Sequence, residues 1–214
     1  MNTAVLLDIE GTVSPLSAVR DELFPYARRR FDEWMARPEV RREVGADVSV
    51  AQLAQWSDED VKAGPLKVLQ GLIWRAGFAS GDLVATLYDE VPGALRAWRD
   101  AGVPVYIYSS GSVLAQQLWF SHTETGDLSH LISGYYDLAT GSKREAWSYR
   151  VIAESIGVPT DAITFYSDSV AELDAADEAG MSAVGVSRSR DGSPDVGNHT
   201  RIDRFTELPV GSTS

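Results

Sequence analysis

The sequence predicts an α/β protein, an open parallel sheet with an all-helical segment inserted after its first strand. Three observations lead there. Short apolar runs of strand length recur at Ala4–Leu7, Val103–Tyr108, Ile163–Tyr166 and Ala183–Val186. Three of the four follow a helix-like stretch that stops at a glycine, namely Gly102, Gly157 or Gly180. A helix end favours glycine because the residue after it often takes left-handed backbone angles. Residues 14 to about 91 interrupt this rhythm with helical patterning alone.

In chain order, the run Ala4–Leu7 reads as a buried strand that ends on Asp8, with Glu10, Gly11 and Thr12 close behind. Leu16, Val19, Leu23, Ala27, Phe31 and Trp34 then trace a helical stripe that ends before Pro38. Ser49-Val-Ala-Gln52 forms a capping box and Ser57-Asp-Glu-Asp60 resembles one, so two further helix starts are expected. Leu66, Leu69, Ile73 and Trp74 give another helical stripe. Beyond it, strand, helix, glycine and strand alternate as in βαβ units. The expected organisation is a discontinuous core domain, residues 1–13 and 92–206, with a helical cap over 14–91 and a flexible tail over 207–214. The stretch SRSRDGSPDVGNHT reads as a surface loop.

Bulk composition narrows the function. The 214 residues carry 19 Lys and Arg against 31 Asp and Glu, a net charge of −12. Such a surface repels polyanions, so neither nucleic acid nor an anionic membrane is the expected partner. A phosphorylated substrate would need a few local cations or a metal. There is no cysteine, hence no disulfide framework, thiolate zinc site or cysteine nucleophile. The opening MNTAVLLDIE lacks a basic n-region, and no stretch reaches the ~18 apolar residues of a membrane span. The expected compartment is the cytoplasm.

Ligands of open parallel sheets gather at the carboxyl ends of the strands, so the residues delivered there matter most. The first strand delivers Asp8 and Glu10, the second Ser109, Ser110 and Gly111, and the third Ser167 and Asp168; Lys143 opens the helix between the last two. Taken singly, each has an ordinary structural reading: a turn acid, a serine cap, a solvated lysine. Taken together, Asp8, Glu10 and Asp168 suit Mg²⁺, which prefers one or two carboxylates with phosphate oxygens and waters. Ser109 and Ser110, with free amides at the start of the next helix, would form an anion pocket. Ser142-Lys-Arg-Glu145 reads as a capping box that puts Lys143 at the first helical position. A cation there opposes the helix dipole, which a bound anion would explain; Arg144 competes for the role. His122, His130 and His199 lack ligand spacing and read as structural or solvent-facing, and the six Trp mostly as core, with Trp74 placed where it could line the rim.

The order acid-x-acid-Gly-Thr, then Ser, Lys and Ser-Asp, each at a strand end, resembles the haloacid dehalogenase superfamily of phosphatases. The stretches LLDIEGTVSPLSAVRDELFPYARRRF, LKVLQGLIW, IYSSGSVLAQQLWF, GDLSHLISGYYDLATGSKREAWSYRVIAESIGV and FYSDSVAELDAADEAGM are similar to the acireductone-forming enolase-phosphatases of methionine salvage. Glu10, where the superfamily usually has a second Asp, is itself that family's mark. The resemblance implies a haloacid-dehalogenase-like Rossmannoid core with a helical cap after the first strand, acting as a monomer. It implies Mg²⁺ held by Asp8, Glu10 (through its backbone carbonyl) and Asp168, with Ser109, Ser110 and Lys143 on the substrate phosphate. The implied substrate is 5-(methylthio)-2,3-dioxopentyl phosphate, with Asp8 as nucleophile through an aspartyl phosphate, Glu10 handling protons and Lys143 offsetting charge. Lys67 and Gln70 are candidates for the carbonyl end. The segment 36–63 matches the family weakly, and Ser169-Val170 replaces a more apolar pair.

Two alternatives remain open on sequence. One is another small-metabolite phosphatase of the same superfamily, with the same core and a different cap. The other is a phospho-receiver signalling module, against which stand the helical insertion and the placement of Asp8 on the first strand. A dehalogenase is weaker again, since that chemistry needs no Mg²⁺.

Overall fold

The computed structural model describes residues 4–188, 192 and 195–207. The chain separates into two compact units, one running up to Leu16 and resuming at Thr86, the other Ser17–Ala85.

The first unit is built on six parallel strands: β1 Ala4–Leu7, β2 Val105–Tyr108, β3 Gly134–Tyr136, β4 Ile163–Ser167, β5 Ser182–Val186 and β6 Thr200–Ile202. Their order in the sheet is β3-β2-β1-β4-β5-β6. Both central strands are buried along their whole length, as expected where both faces of a parallel sheet are covered. Within the Ser17–Ala85 unit the helices are a π-turn Ala18–Leu23, α1 Phe24–Arg28, α2 Phe31–Met35, α3 Pro38–Val44, α4 Val50–Asp58 and α5 Gly64–Ser80. The sheet unit adds α6 Val91–Asp100, α7 Val113–Ser121, α8 Ala146–Ile156 and α9 Val170–Glu178. On one face of the sheet, Leu6, Tyr108 and Phe165 pack with Tyr149 and Ile152 of α8 and Leu173 and Ala176 of α9. On the opposite face Tyr166 meets Trp98 of α6 and Phe205, at ring-centroid distances of 6.0 and 5.4 Å.

Helix ends behave as the glycine spacing predicts. Gly102 has φ +71°; its N–H reaches the Arg99 carbonyl, and the Val103 N–H reaches the Trp98 carbonyl, both at 2.9 Å. This bond pair closes the helix and satisfies its last carbonyls. Gly157 and Gly180 repeat it.

The sequence reading undercounts the strands. β3 and β6 have three residues each and lie at the two sheet edges, too short to show a pattern of their own. The loop expected over 187–200 lies partly outside the described residues, but Arg188 and Val196 within it are buried and β6 starts at Thr200.

In the Ser17–Ala85 unit all the described regular elements are helical. α5 is the longest helix and packs on α1 and α3. Its Gly77 lets the Tyr26 ring approach so closely that a Cβ would stand 2.7 Å from it. Trp74 donates its indole N–H to the Leu23 carbonyl at 2.9 Å and is 5% exposed, so it is a core residue of this unit. Ser49 caps α4 by accepting the Gln52 N–H. No helix begins at Ser57, which lies inside α4; the next helix starts at Gly64 with Pro65 in its first turn. Proline supplies a pre-set φ and needs no hydrogen-bond partner there, so it outcompetes the cap-like acids. Among the described residues no helix is long and apolar enough to cross a membrane.

Candidate active site

The strand order places a switch point between β1 and β4. From β1 the chain builds outward to β2 and β3, then returns to add β4, β5 and β6 on the other side. A crevice opens at the carboxyl ends of the strands where the order reverses. Asp8 follows β1 and Asp168 follows β4, so both acids stand at that crevice. The Asp8 N–H continues the ladder to the Tyr166 carbonyl at 3.0 Å.

After Asp8 the chain folds into a tight turn. The Ile9 carbonyl accepts from the N–H groups of Thr12, Val13 and Ser14, and the Gly11 N–H donates back to Ser14. Thr12 is fully buried and donates its hydroxyl to Asp8 Oδ2 at 3.2 Å. Gly11 has φ +75°, and a Cβ there would lie 2.1 Å from Asp168 Oδ2. Glycine is therefore required twice over, for the backbone angle and for the approach of the turn to Asp168.

Lys143 is not on a helix. It lies in a turn before α8, whose N-cap is Glu145, and the Ser142 hydroxyl accepts from the Arg144 N–H instead of capping the helix. In this turn Lys143 opposes no helix dipole from a first helical position. What holds Lys143 is a pair of phenols. Tyr149 donates to the Lys143 carbonyl at 2.7 Å and Tyr108 to the Gly141 carbonyl at 2.9 Å. These anchors direct the ammonium to Asp8 Oδ1 at 2.5 Å and to Glu172 Oε2 at 2.6 Å. Lys143 is buried, whereas Arg144 is exposed.

Glu172, in the first turn of α9, was missed by the sequence reading. It also accepts the Ser167 hydroxyl at 3.0 Å. Its local signal is that of an ordinary helix-opening acid, and only the fold sets it beside Lys143.

Asp8 and Glu172 both pair with the one ammonium, and Asp168 stands within the influence of all three charges. Burial, then Asp8 and Glu172, push the Asp168 carboxyl up to about 7. Burial and Asp8 likewise raise Glu172 against the pull of Lys143. Burial alone would discharge Lys143, but Asp8 and Glu172 outweigh it and raise its pKa above the ordinary lysine value.

The second strand delivers Ser109, buried, and Ser110, partly exposed. Ser109 donates its N–H to the Tyr136 carbonyl at 3.1 Å and accepts the Gly111 N–H at 3.3 Å. The cap of α7 is Ser112, which accepts the Ala115 N–H, while the Val113 N–H goes to Asp137 Oδ2. Amides expected for an anion pocket at the start of α7 are thus taken by the protein itself. Trp147, expected in the core, is 52% exposed, because α8 turns that face away from the sheet. His199 pairs with Asp174 at 2.8 Å, away from the strand ends.

The donor set fits a hard divalent cation. Asp8 and Asp168 offer carboxylate oxygens, and three carboxylates against one lysine leave two negative charges to balance. Among the described residues no three His, Cys, Asp or Glu side chains make a complete metal site. Two carboxylates completed by a carbonyl, phosphate oxygens and water are the arrangement available.

Residues 3–180 match the profile of haloacid dehalogenase-like hydrolases. The chain is 48% identical to the enolase-phosphatase E1 of Frankia alni, over 96% of this chain and 94% of that one. To the enolase-phosphatase E1 of Aquifex aeolicus it is 43% identical, over 98% and 100%. This chain belongs to the enolase-phosphatase E1 family of haloacid dehalogenase-like hydrolases. As a family member it is an enzyme, a hydrolase. Among solved structures, the UTR4 protein of Saccharomyces cerevisiae is similar, with 32% identity, a TM-score of 0.86 and 97% and 100% of the two chains covered. For an enolase-phosphatase E1 family member, the strand-end cluster offers residue types that phosphoryl transfer uses: buried carboxylates, a fixed cation and hydroxyls.

Proposed function

We propose that the protein is a Mg²⁺-dependent enolase-phosphatase of methionine salvage. It converts 5-(methylthio)-2,3-dioxopentyl phosphate into an acireductone and phosphate. The observation that carries this reading is the buried Asp8–Lys143 contact at the switch point of the sheet, in a chain whose full-length relatives bear the enolase-phosphatase name.

In this reading the Asp8 carboxylate attacks phosphorus and becomes an aspartyl phosphate. The bond to the substrate oxygen breaks, its electron pair stays on that oxygen, and Glu10 supplies a proton. Water, deprotonated by Glu10, then attacks the acyl phosphate, which releases phosphate and restores Asp8. Lys143, fixed by Tyr108, Tyr149 and Glu172, offsets charge on the transferring oxygens without reorganising. Ser109 and Ser110 would hold the phosphate. The donor set of Asp8, Asp168 and the Glu10 carbonyl would hold Mg²⁺, which when bound supplies charge neutralisation and polarises an oxygen of the substrate. Enolisation would precede dephosphorylation at the same rim, because the phosphate is the handle that keeps the substrate in place.

The test is to incubate the protein with Mg²⁺ and the diketo phosphate and to follow phosphate release and acireductone absorbance in parallel. Equal rates are expected. Phosphate release with the diketone left un-enolised would replace this reading with a plain small-metabolite phosphatase.

A further inference from the structure

Arg188 is a buried arginine outside the catalytic cluster, and all its polar contacts are specific. Its Nε and Nη2 both donate to the Thr12 carbonyl, at 3.1 and 2.5 Å. Nη1 donates to the Asp203 carbonyl at 3.0 Å and pairs with Glu90 Oε1. Arg188 and Glu90 side chains are each 5% exposed, and the guanidinium lies 4.0 Å from the Tyr88 ring centroid. Arg204 reaches the second Glu90 oxygen at 3.5 Å.

Stability alone is a weak reason for such a pair, since apolar residues of similar volume often do as well or better. What the guanidinium grips is more telling. The Thr12 carbonyl belongs to the turn 9–14, whose internal hydrogen bonds tie its residues together. That turn carries Glu10, and its Thr12 hydroxyl touches Asp8 Oδ2. Ser14, at the end of the same turn, donates to the Thr86 carbonyl and accepts the Trp119 indole N–H, both at 2.8 Å. The turn is thus fixed at one end by Ser14 and in the middle by Arg188.

We propose that Arg188 is a positioning residue for phosphoryl transfer: oriented by Glu90, its fork holds the Thr12 carbonyl and thereby the turn that presents Glu10 and aims Thr12 at Asp8. The inference rests on the roles proposed above for Asp8 and Glu10. It requires the planar fork, because two N–H groups converge on one oxygen, which the point charge of lysine does not reproduce.

The test compares Arg188→Lys and Arg188→Met with wild type, as the Mg²⁺-loaded full chain, well below each variant's melting temperature. Both the diketo phosphate and an aryl phosphate serve as substrates. kcat should fall by roughly 10²-fold, as for misplacement of a reacting group by about an ångström. KM should stay within about threefold, because the groups on the phosphate are untouched. Arg188→Lys keeps the charge opposite Glu90, so it should keep the fold and still lose kcat; it carries the test if Arg188→Met does not fold. In Glu10→Gln, adding Arg188→Lys should cost little more, since both act through one turn. Wild-type kcat in folded Arg188→Lys, or losses that multiply with Glu10→Gln, would overturn the proposal. Wild-type activity on the aryl phosphate alone would remove the substrate reading and leave the Arg188 comparison readable on that probe.

Discussion

Lys143 Nζ lies 2.6 Å from Glu172 Oε2, and both side chains are largely shielded from water. With Asp8 on its other side, the lysine is held between two carboxylates before any phosphate arrives. Lys143→Met should therefore lower kcat by about 10²–10³, the loss typical of one electrostatic partner in the transition state. It should also cost stability, roughly 3–5 kcal/mol, because the carboxylates are left buried without their counter-charge. Activity assays paired with urea unfolding check both. The helix-dipole reading of the sequence implied almost no stability change, and a wild-type unfolding midpoint would favour it.

Glu172→Gln keeps the shape and removes one anchor of Lys143. A loss of about tenfold in kcat, near 1.4 kcal/mol of transition-state stabilisation, is expected. KM should change little. A loss as large as that of Lys143→Met would mean that Glu172 meets the substrate or metal itself.

Asp8→Asn should fold and bind metal weakly, yet show no turnover, since an amide is a very poor nucleophile. Removing the Asp8 charge also relieves Asp168, whose carboxyl it helps to raise. Enolisation does not need the nucleophile, so the variant should keep that half of the chemistry. Substrate C–H exchange with deuterated water, without phosphate release, is the expected signature by proton NMR.

In the metal-free protein the Asp168 carboxyl is pushed up to about 7, first by burial and then by Asp8 and Glu172. Between the ordinary carboxylate value and about 7 the folded state binds the extra proton and the unfolded chain does not. Stability from this group is present at low pH and is lost as pH rises through about 7. Metal-free melting temperatures should therefore fall between roughly pH 5 and 7.5, other groups being equal. Mg²⁺ should restore more stability at the upper end than at the lower, as thermal melts with and without chelator will show.

Gly11→Ala puts a Cβ 2.1 Å from Asp168 Oδ2, on a backbone with φ +75°. Either the turn or Asp168 must move. The metal concentration for half-maximal activity should rise by about tenfold or more, in the range seen when a ligand's supporting contact is lost. Unchanged metal dependence would argue against Asp168 as a ligand.

Much of this site is legible in the sequence because it obeys local rules. A strand of four apolar residues that ends on Asp8, and another that ends before Asp168, announce themselves by composition and length. Glycine after a helix needs only its own backbone freedom. The partners of Lys143 and Arg188 are different. Glu172 looks like any acid in a first helical turn, and Arg188 stands in a stretch that reads as solvated loop. Trp147 carries helical spacing yet faces outward, since periodicity tells that a helix has sides but not which side the sheet will take.

The sequence by itself determined the parallel α/β core, the all-helical insertion, the helix stops and the set of strand-end residues Asp8, Ser109 and Asp168. Those features depend on hydrophobic period and on the conformational limits of single residues, which neighbours in the chain encode. Only the tertiary structure decided the strand order, the two short edge strands, the turn that presents Lys143 and the ion pairs Lys143–Glu172 and Arg188–Glu90. A buried ion pair forms because two distant segments are desolvated together. Nothing in the local chemistry of either segment encodes that meeting; the packing of the sheet and its helices brings it about.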